Sequence, residues 1–92
     1  MEYQIVILPS AERDLTALAP ETREAILRRL EWLRRNAGAV IHRRLHNLPA
    51  DLSGLCKLRV ADYRVLYWHD AARHVLTVYR VQHRSEAYRR LR

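Results

Sequence analysis

Residues 55–83, LCKLRVADYRVLYWHDAARHVLTVYRVQH, decide the fold of this chain because they predict three strands in succession. Apolar and β-branched residues alternate with polar ones in three runs, which cover residues 55–60, 63–69 and 75–83. Only Ala61 and Asp62 separate the first two runs, and another short turn separates the second from the third. Connections this short join antiparallel neighbours, so the segment predicts an antiparallel sheet.

The residues before this sheet predict a strand and two helices. Residues 3–8 form an apolar, β-branched run that Pro9 closes. Ser10 stands where a helix N-cap belongs, so a helix of about two to three turns should follow. Pro20 suits the first position of a second helix, which should run to about residue 37. Residues 39–53 show weak periodicity and predict a connecting loop.

The element order defines the expected fold class. Strands and helices follow in the order β-α-α-β-β-β, and residues 84–91 predict a short, basic C-terminal helix. Helices and strands are segregated along the chain, which is typical of an α+β fold. We therefore expect a single domain over residues 1–92, with two N-terminal helices packed on one face of a mostly antiparallel sheet.

The charge is distributed unevenly along the chain. Seventeen Lys and Arg oppose 10 Asp and Glu, which gives a net charge of +7 and an isoelectric point near 10.5. Residues 1–37 are neutral, so residues 38–92 carry the whole excess and all five histidines. Such a basic half suits a polyanionic partner, which is nucleic acid, an acidic protein or an anionic membrane surface. The alternative is a surface charge that serves only solubility.

Several classes of chemistry are disfavoured by the composition. Cys56 is the single cysteine, so an internal disulfide and a cysteine-rich zinc site are excluded. His42 and His46 are four residues apart but lie in a predicted loop, and we predict no metal. The sequence contains no glycine-rich phosphate loop and no nucleophile elbow around Ser85, so no cofactor is expected. Without an apolar run long enough to span a membrane, the expected location is a reducing cytoplasm.

Two basic clusters are candidates for a site. Strand alternation places Lys57 and Arg59 on one face, and Arg64 in the next strand would extend this face into a cationic floor opposite the helices. An ordinary solvent-facing side of the sheet is the other interpretation. The second cluster begins at His83 and Arg84, where the last strand ends.

Tyr88 shares a helical face with Arg84 if residues 84–91 are helical. Histidine changes its charge near neutral pH, arginine donates to phosphate oxygens, and a tyrosine beside cations can act as a base. Alternatively, Tyr88 packs on the edge of the sheet and the following arginines, Arg89, Arg90 and Arg92, form a solvated tail.

These motifs carry a resemblance to a known family. KLRVADYRVLY at 57–67, VQHRSEAYRRL at 81–91 and the opening PSAERDLTAL at 9–18 together resemble the bacterial RelE/ParE superfamily of type II toxins. Members of the RelE branch cleave messenger RNA, typically in the ribosomal A site, and each is silenced by a cognate antitoxin. The resemblance covers nearly the whole chain, and it implies a RelE-like fold and no cofactor.

The resemblance also implies roles for individual residues. Lys57, Arg64, Arg84 and Tyr88 match functional positions of the RelE branch, Arg59 matches a basic position, and His83 stands where many relatives have histidine. Tyr88 or His83 would be the base, Arg84 or His83 would assist the leaving group, and the strand cations Lys57, Arg59 and Arg64 would bind the phosphate. One departure is Leu55, where the best-known member has a second lysine.

The implied partners are an acidic antitoxin, messenger RNA and the ribosome. Antitoxins of this kind cover the basic face and the C-terminal helix, so the expected contact residues are Arg84, Arg89, Arg90 and Arg92. The ParE branch of the superfamily differs, since its members bind DNA gyrase and poison it without cleaving RNA. The third alternative is a basic binding module without catalytic activity.

Overall fold

The computed structural model describes residues 2–87 of the chain. Its strands are β1 (Gln4–Ile7), β2 (Arg43–Arg44), β3 (Cys56–Val60), β4 (Tyr63–Asp70) and β5 (Val75–His83). Its helices are α1 (Pro9–Thr16), α2 (Pro20–Asn36) and α3 (Arg84–Ala87), with a single 3₁₀ turn at Ala50–Leu52. Four residues of the predicted site lie outside the described residues, namely Tyr88, Arg89, Arg90 and Arg92.

The strands form one sheet in the order β1-β5-β4-β3-β2. Strand β1 pairs with β5 in parallel, and every other neighbouring pair is antiparallel. The two hairpins β3–β4 and β4–β5 lie where the sequence predicts them. The α+β class and the mostly antiparallel sheet are therefore confirmed.

Both long helices begin with a proline at the first turn, where its missing N–H costs no hydrogen bond. The prediction that Ser10 is the N-cap of α1 is wrong, because the helix starts two residues earlier, at Pro9, and Leu8 occupies the cap. The Ser10 hydroxyl instead donates to the carbonyl oxygen of Tyr79 at 2.6 Å. Pro9 thus sets the start of the helix, and the serine ties it to β5.

One face of the sheet packs against the helices and forms the main core. From α1 and α2 this core takes Ala11, Leu15, Ile26, Leu30 and Leu33, and from the sheet it takes Cys56, Val65, Tyr67, Leu76, Val78 and Val81. The apolar stripe of α2 is thus buried, as its helical spacing predicts. Burying aliphatic side chains of this size stabilises the fold by about 1.5–3 kcal/mol each.

A smaller cluster covers part of the other face. Leu52, Leu55 and Leu66 are buried there, with four partly buried neighbours, Leu45, Leu48, Trp68 and Tyr79. Residues 39–53 are therefore not simply a loop, since they contain β2, the 3₁₀ turn and three leucines that contribute to this cluster. The two-residue strand exists because it pairs with β3, where Arg43 is opposite Lys57 and Arg44 is opposite Cys56.

Strand β5 contains a bulge that reverses its alternation. Leu66 pairs with Arg80, but the next residue, Tyr67, pairs with Val78, so Tyr79 is the extra residue. Val78 and Val81 consequently both belong to the main core although they are three residues apart. The bulge decides which side chains of the last three residues of β5 face the helices.

Strand β5 extends beyond its pairing with β1, and side chains of helix α1 bind backbone groups of β5 in this unpaired part. The parallel register ends with Ile7 opposite Val78. Beyond it, Asp14 accepts the backbone N–H of Val81 at 2.8 Å, and its carboxylate binds the guanidinium of Arg80 at 2.7 Å. Side chains of α1 thus replace the missing strand. Between residues 2 and 87, none of the helices is long and apolar enough to cross a membrane.

Candidate functional site

Three cations of β3 and β4 share the face of the sheet opposite the helices. Leu58 pairs with Val65, and both pack in the main core. The residues on either side of this pair face the other way. Lys57, Arg59 and Arg64 therefore lie together on the open face, as the alternation of the sequence predicts.

Arg59 is directly opposite Arg64 in the register of the two strands. Like charges that face each other across an antiparallel pair repel, and a bound anion reduces such repulsion. Arginine is well suited to binding an anion because its planar fork of N–H groups matches phosphate oxygens.

These cations also line a cleft of about 610 Å³ at the edge of β3. Because β2 pairs with only two residues of β3, side chains from both faces of the sheet reach this edge. The lining residues are Arg29, Trp32 and Leu33 of α2, Val40, Ile41 and Arg43 from the segment after it, and Lys57, Leu58, Arg59, Arg64 and Tyr67 of the sheet. Among these described lining residues, five are cationic and none is acidic.

The cleft residues that sequence reasoning missed include Arg29, Trp32 and Arg43. Arg29 and Trp32 are one helical turn apart, and the Arg29 guanidinium lies 4.6 Å from the centroid of the Trp32 ring. Their spacing of three residues could have predicted this contact, because residues three apart are neighbours on the surface of a helix. Arg43 belongs to a basic stretch that the sequence shows, but only its pairing with Lys57 brings it to the site.

Several arginines that lie outside this cleft form ion pairs with carboxylates. Arg80 is bound by Asp14, and this hydrogen bond raises its pKa. On α2, Glu31 accepts from both Arg34 and Arg35. Their guanidinium groups lower the pKa of the Glu31 carboxyl to about 2. None of these four residues, Arg80, Glu31, Arg34 and Arg35, is among the described residues that line the cleft.

His83 lies on the opposite side of the sheet from Arg59 and Arg64. It pairs with Tyr63, and the two rings meet edge to face with centroids 5.2 Å apart. Tyr63 packs against the main core. His83 lines a second cavity, of about 460 Å³, together with residues of α1 that include Asp14. The described residues therefore do not bring His83 together with the strand cations.

The His83 ring caps the short helix α3. Its Nδ1 accepts the backbone N–H of Ser85 at 3.2 Å, and the Ser85 hydroxyl lies 2.9 Å from the same nitrogen. In return, Glu86 Oε1 accepts the backbone N–H of His83 at 3.2 Å. This reciprocal arrangement is that of a capping box. Because Nδ1 accepts from the backbone, the neutral ring carries its proton on Nε2.

Arg84 follows β5 directly and is exposed. Its backbone N–H donates to the carbonyl oxygen of Asp62 at 2.8 Å, which places it beside the β3–β4 turn. Arg84 therefore lies near the end of the two strands that hold Arg59 and Arg64. The predicted helix at 84–91 begins here, and its described part is α3.

His42, considered above as half of a metal pair with His46, has a structural role. Its Nε2 donates to the carbonyl oxygen of Ala37 at 2.8 Å, and its Nδ1 lies 2.6 Å from the Tyr67 hydroxyl. Both ring nitrogens are thus engaged within the protein. This histidine holds the segment after α2 against the sheet.

Comparison with known proteins identifies the family. The model of the ParE toxin of type II toxin–antitoxin systems, parDE, matches residues 5–88. The chain therefore belongs to the ParE toxin family and is a toxin of a type II toxin–antitoxin system within the RelE/ParE superfamily. No curated protein matches the chain.

Solved structures agree with this assignment. The toxin–antitoxin complex RelBE2 from Mycobacterium tuberculosis contains a chain with 28% identity and a TM-score of 0.73, covering 91% of this chain and 100% of that one. The isolated RelE toxin of E. coli matches with 22% identity and a TM-score of 0.68, over 94% and 90% of the two chains. The chromosomal ParDE system of P. aeruginosa matches with 14% identity and a TM-score of 0.61, over 89% and 96%. The last two likenesses concern the fold alone.

Proposed function

We propose that this toxin is an endoribonuclease that cleaves messenger RNA in the cytoplasm, in association with the ribosome, and so inhibits translation. The observation that carries the proposal is the cationic face, where Arg59 and Arg64 lie opposite each other beside Lys57. The RelE-branch resemblance of the KLRVADYRVLY and VQHRSEAYRRL motifs supports it.

The proposed reaction uses the 2′-hydroxyl of the substrate as nucleophile. A base removes its proton, the 2′-oxygen bonds to the adjacent phosphorus, and the bond from phosphorus to the 5′-oxygen breaks. The products are a 2′,3′-cyclic phosphate and a 5′-hydroxyl that has gained a proton. Negative charge grows on the phosphate oxygens during this step, and preorganised cations at this position contribute about 10²–10³ in rate for each donor.

We assign the stabilisation of this charge to Lys57, Arg59 and Arg64. The placement of His83 on the other side of the sheet favours Tyr88 as the base, with Arg84 assisting the leaving oxygen. A base and an acid each supply about 10²–10⁴ in rate. Tyr88 lies outside the described residues, so its role comes from the resemblance alone.

Primer extension on a translated message tests the activity directly. We expect specific stops with the wild type, and a loss of about 10²–10³ in cleavage rate with Arg64→Ala. Tyr88→Phe should lose a comparable factor, since it keeps the ring and removes only the ionisable hydroxyl. Arg73→Ala is the matched control. It also removes one positive charge, but Arg73 is exposed in the β4–β5 turn, away from the cationic face.

The substrate itself provides a second test. A 2′-methoxy group at the cleaved position removes the nucleophile, so this RNA and the corresponding DNA should be inert. Cleavage of either would contradict the mechanism. Equal cleavage by wild type and Arg64→Ala would contradict the role of the cationic face.

We also propose that a cognate acidic antitoxin inhibits the toxin by covering this face. Toxin–antitoxin complexes among the similar structures support this partner. The proposed contact residues are Arg84 in the described part and Arg89, Arg90 and Arg92 outside it. Co-expression with the proposed acidic antitoxin should abolish cleavage, whereas unchanged cleavage would argue against inhibition.

Inhibition of DNA gyrase is the second candidate, because the family model that matches is that of ParE. Controlled expression separates the two functions by their earliest effect. Rapid loss of messages indicates a ribonuclease, whereas DNA breaks with an SOS response indicate a gyrase poison. If expression of the chain has no effect on growth, the third alternative, a basic binding module without catalytic activity, is supported.

A further inference from the structure

We propose that the cleft at the edge of β3 binds the nucleotide next to the cleaved link, with its base stacked on Trp32. This inference deepens the proposed ribonuclease function and depends on it. It adds a recognition subsite formed by α2 and the segment after it, which neither the motifs nor the comparisons assign.

The first argument is the exposure of apolar groups in this cleft. Trp32 is 41% exposed and Ile41 is 92% exposed, although side chains of this size are usually buried. Trp32 lies on α2, outside the apolar stripe that the core buries. Its ring is instead covered on one face by the Arg29 guanidinium.

The second argument is the geometry of that contact. The Cζ atom of Arg29 lies over the indole ring at 4.6 Å from its centroid, which is a cation–π contact at the protein surface. Single-stranded RNA is recognised by stacking its bases on aromatic rings or on arginine planes. A base can therefore stack on the indole in place of Arg29.

The third argument is continuity with the proposed phosphate site. Lys57, Arg59 and Arg64 line the cleft as well as the cationic face. An RNA strand whose phosphate binds there places a neighbouring nucleotide over the cleft. Arg29 and Arg43 add two further cations, which suits the backbone of that nucleotide. The volume of about 610 Å³ lies in the range of about 300–1,000 Å³ for ligand sites.

An acidic peptide is the other polyanion that this charge could attract. RNA is favoured because the cleft presents an exposed aromatic ring on which a base can stack, and because the cations are shared with the phosphate site. The experiment therefore uses both polyanions.

The two tryptophans allow a direct measurement of binding by fluorescence. Trp68 is engaged elsewhere, since its Nε1–H donates to the Ser53 carbonyl oxygen at 2.9 Å and its ring packs against Tyr79. In a Trp68→Phe background, Trp32 is the single reporter. Titration with a 2′-O-methyl RNA oligonucleotide, which cannot be cleaved, should quench this fluorescence.

Substitution of Trp32 tests the stacking itself. Trp32→Leu in the otherwise wild-type chain should weaken binding of the same oligonucleotide by about five- to 150-fold, the value of one stacked base. Trp32→Tyr should restore most of the affinity because it restores an aromatic face. The wild type should bind an oligonucleotide with one abasic site more weakly than the intact oligonucleotide. Trp32→Leu should bind the two oligonucleotides equally, because it has already lost the stacking contact.

The outcomes distinguish this inference from the proposed function. If the wild type cleaves RNA while Trp32→Leu binds and cleaves as well as the wild type, the subsite is wrong and the ribonuclease stands. If Trp32 fluorescence responds to polyglutamate and not to RNA, the cleft is a peptide site and the inference is overturned. If the wild type neither binds nor cleaves RNA, the proposed function has failed and the subsite with it. Thermal unfolding of each variant verifies that it is folded.

Discussion

Arg59 and Arg64 lie directly opposite each other across β3 and β4, on the face of the sheet that the helices leave uncovered. The pair predicts opposite effects on stability and binding. Arg59→Thr should increase the free energy of unfolding by about 0.2–1 kcal/mol at low salt, because it removes a repulsion between facing like charges. The same change should weaken RNA binding. Urea denaturation and oligonucleotide titration measure the two effects.

Salt and a matched variant provide the controls for this prediction. The gain in stability should shrink at high salt because exposed charges are screened. Arg73→Thr removes one exposed arginine from the β4–β5 turn and should alter neither quantity by a comparable amount. A destabilised Arg59→Thr variant would show that Arg59 supports the fold and does not merely serve binding.

The β3–β4 turn is strained at Ala61, whose φ of 53° lies in the left-handed region. Glycine adopts this region without the clash of a Cβ atom. Ala61→Gly should therefore raise the free energy of unfolding by about 1 kcal/mol. Ala71→Gly is the matched control, since Ala71 is exposed in the next turn without a positive φ, and it should lower stability by about 0.4–1 kcal/mol. Equal effects of the two changes would contradict this reading of the turn.

Stacked histidines predict a dependence of stability on pH. The rings of His42 and His69 are stacked with centroids 3.8 Å apart, and Tyr3 bonds to His69 Nε2 at 2.9 Å. Burial lowers the pKa of His69, and the neighbouring His42 lowers it further. The unfolded chain then binds a proton that the folded chain does not, so stability is retained at neutral pH and lost as the pH falls below about 6.5.

Denaturation between pH 7.5 and 5 measures this effect. The wild type should lose up to about 1.4 kcal/mol per pH unit for each proton taken up on unfolding. His69→Gln should flatten this slope, whereas His46→Gln changes an exposed histidine and should leave it unaltered. Parallel curves for the wild type and His69→Gln would contradict the role of the stack.

Cys56 predicts a slow reaction with thiol reagents. The side chain is 2% exposed, and burial raises the pKa of its thiol. Since the thiolate is the reactive form, Ellman's reagent should react with the native protein only through opening of the fold, and rapidly in urea. Fast stoichiometric reaction at neutral pH without denaturant would show that β3 opens locally.

Most of the fold was predictable from the alternation of apolar and polar residues in the strands and from the prolines that begin α1 and α2. The runs 63–69 and 75–83 match β4 and β5 to within one residue, because apolar residues recur at the period of a half-buried strand. Strand β2 was not predictable, since two residues cannot display a period and its state depends on pairing with a distant strand. The cleft was not predictable for the same reason, because contacts between distant parts of the chain form it. Its residues come from α2, the following segment and the sheet.

The cationic face was predictable from alternation within β3 and β4, but the position of His83 was not. Alternation counted from the buried Leu76 and Val78 places residues 81 and 83 on the open face. The bulge at Tyr79 reverses this, so Val81 is in the core and His83 faces Tyr63. A tyrosine packs on either face, so its side chain gives no sign that the backbone has an extra residue there.

The bulge has a consequence for how this surface changes in evolution. If β5 kept its length and paired with β4 without the bulge, every side chain after position 78 would exchange sides, and an imidazole would join the guanidinium groups of β3 and β4 while an amide withdrew from them. Loss of one codon at the bulge would instead leave these side chains on their present sides, so the presence of the extra residue decides which functional groups are displayed beside the sheet. Alignments that slide a gap across this strand would assign the wrong chemistry to the toxin.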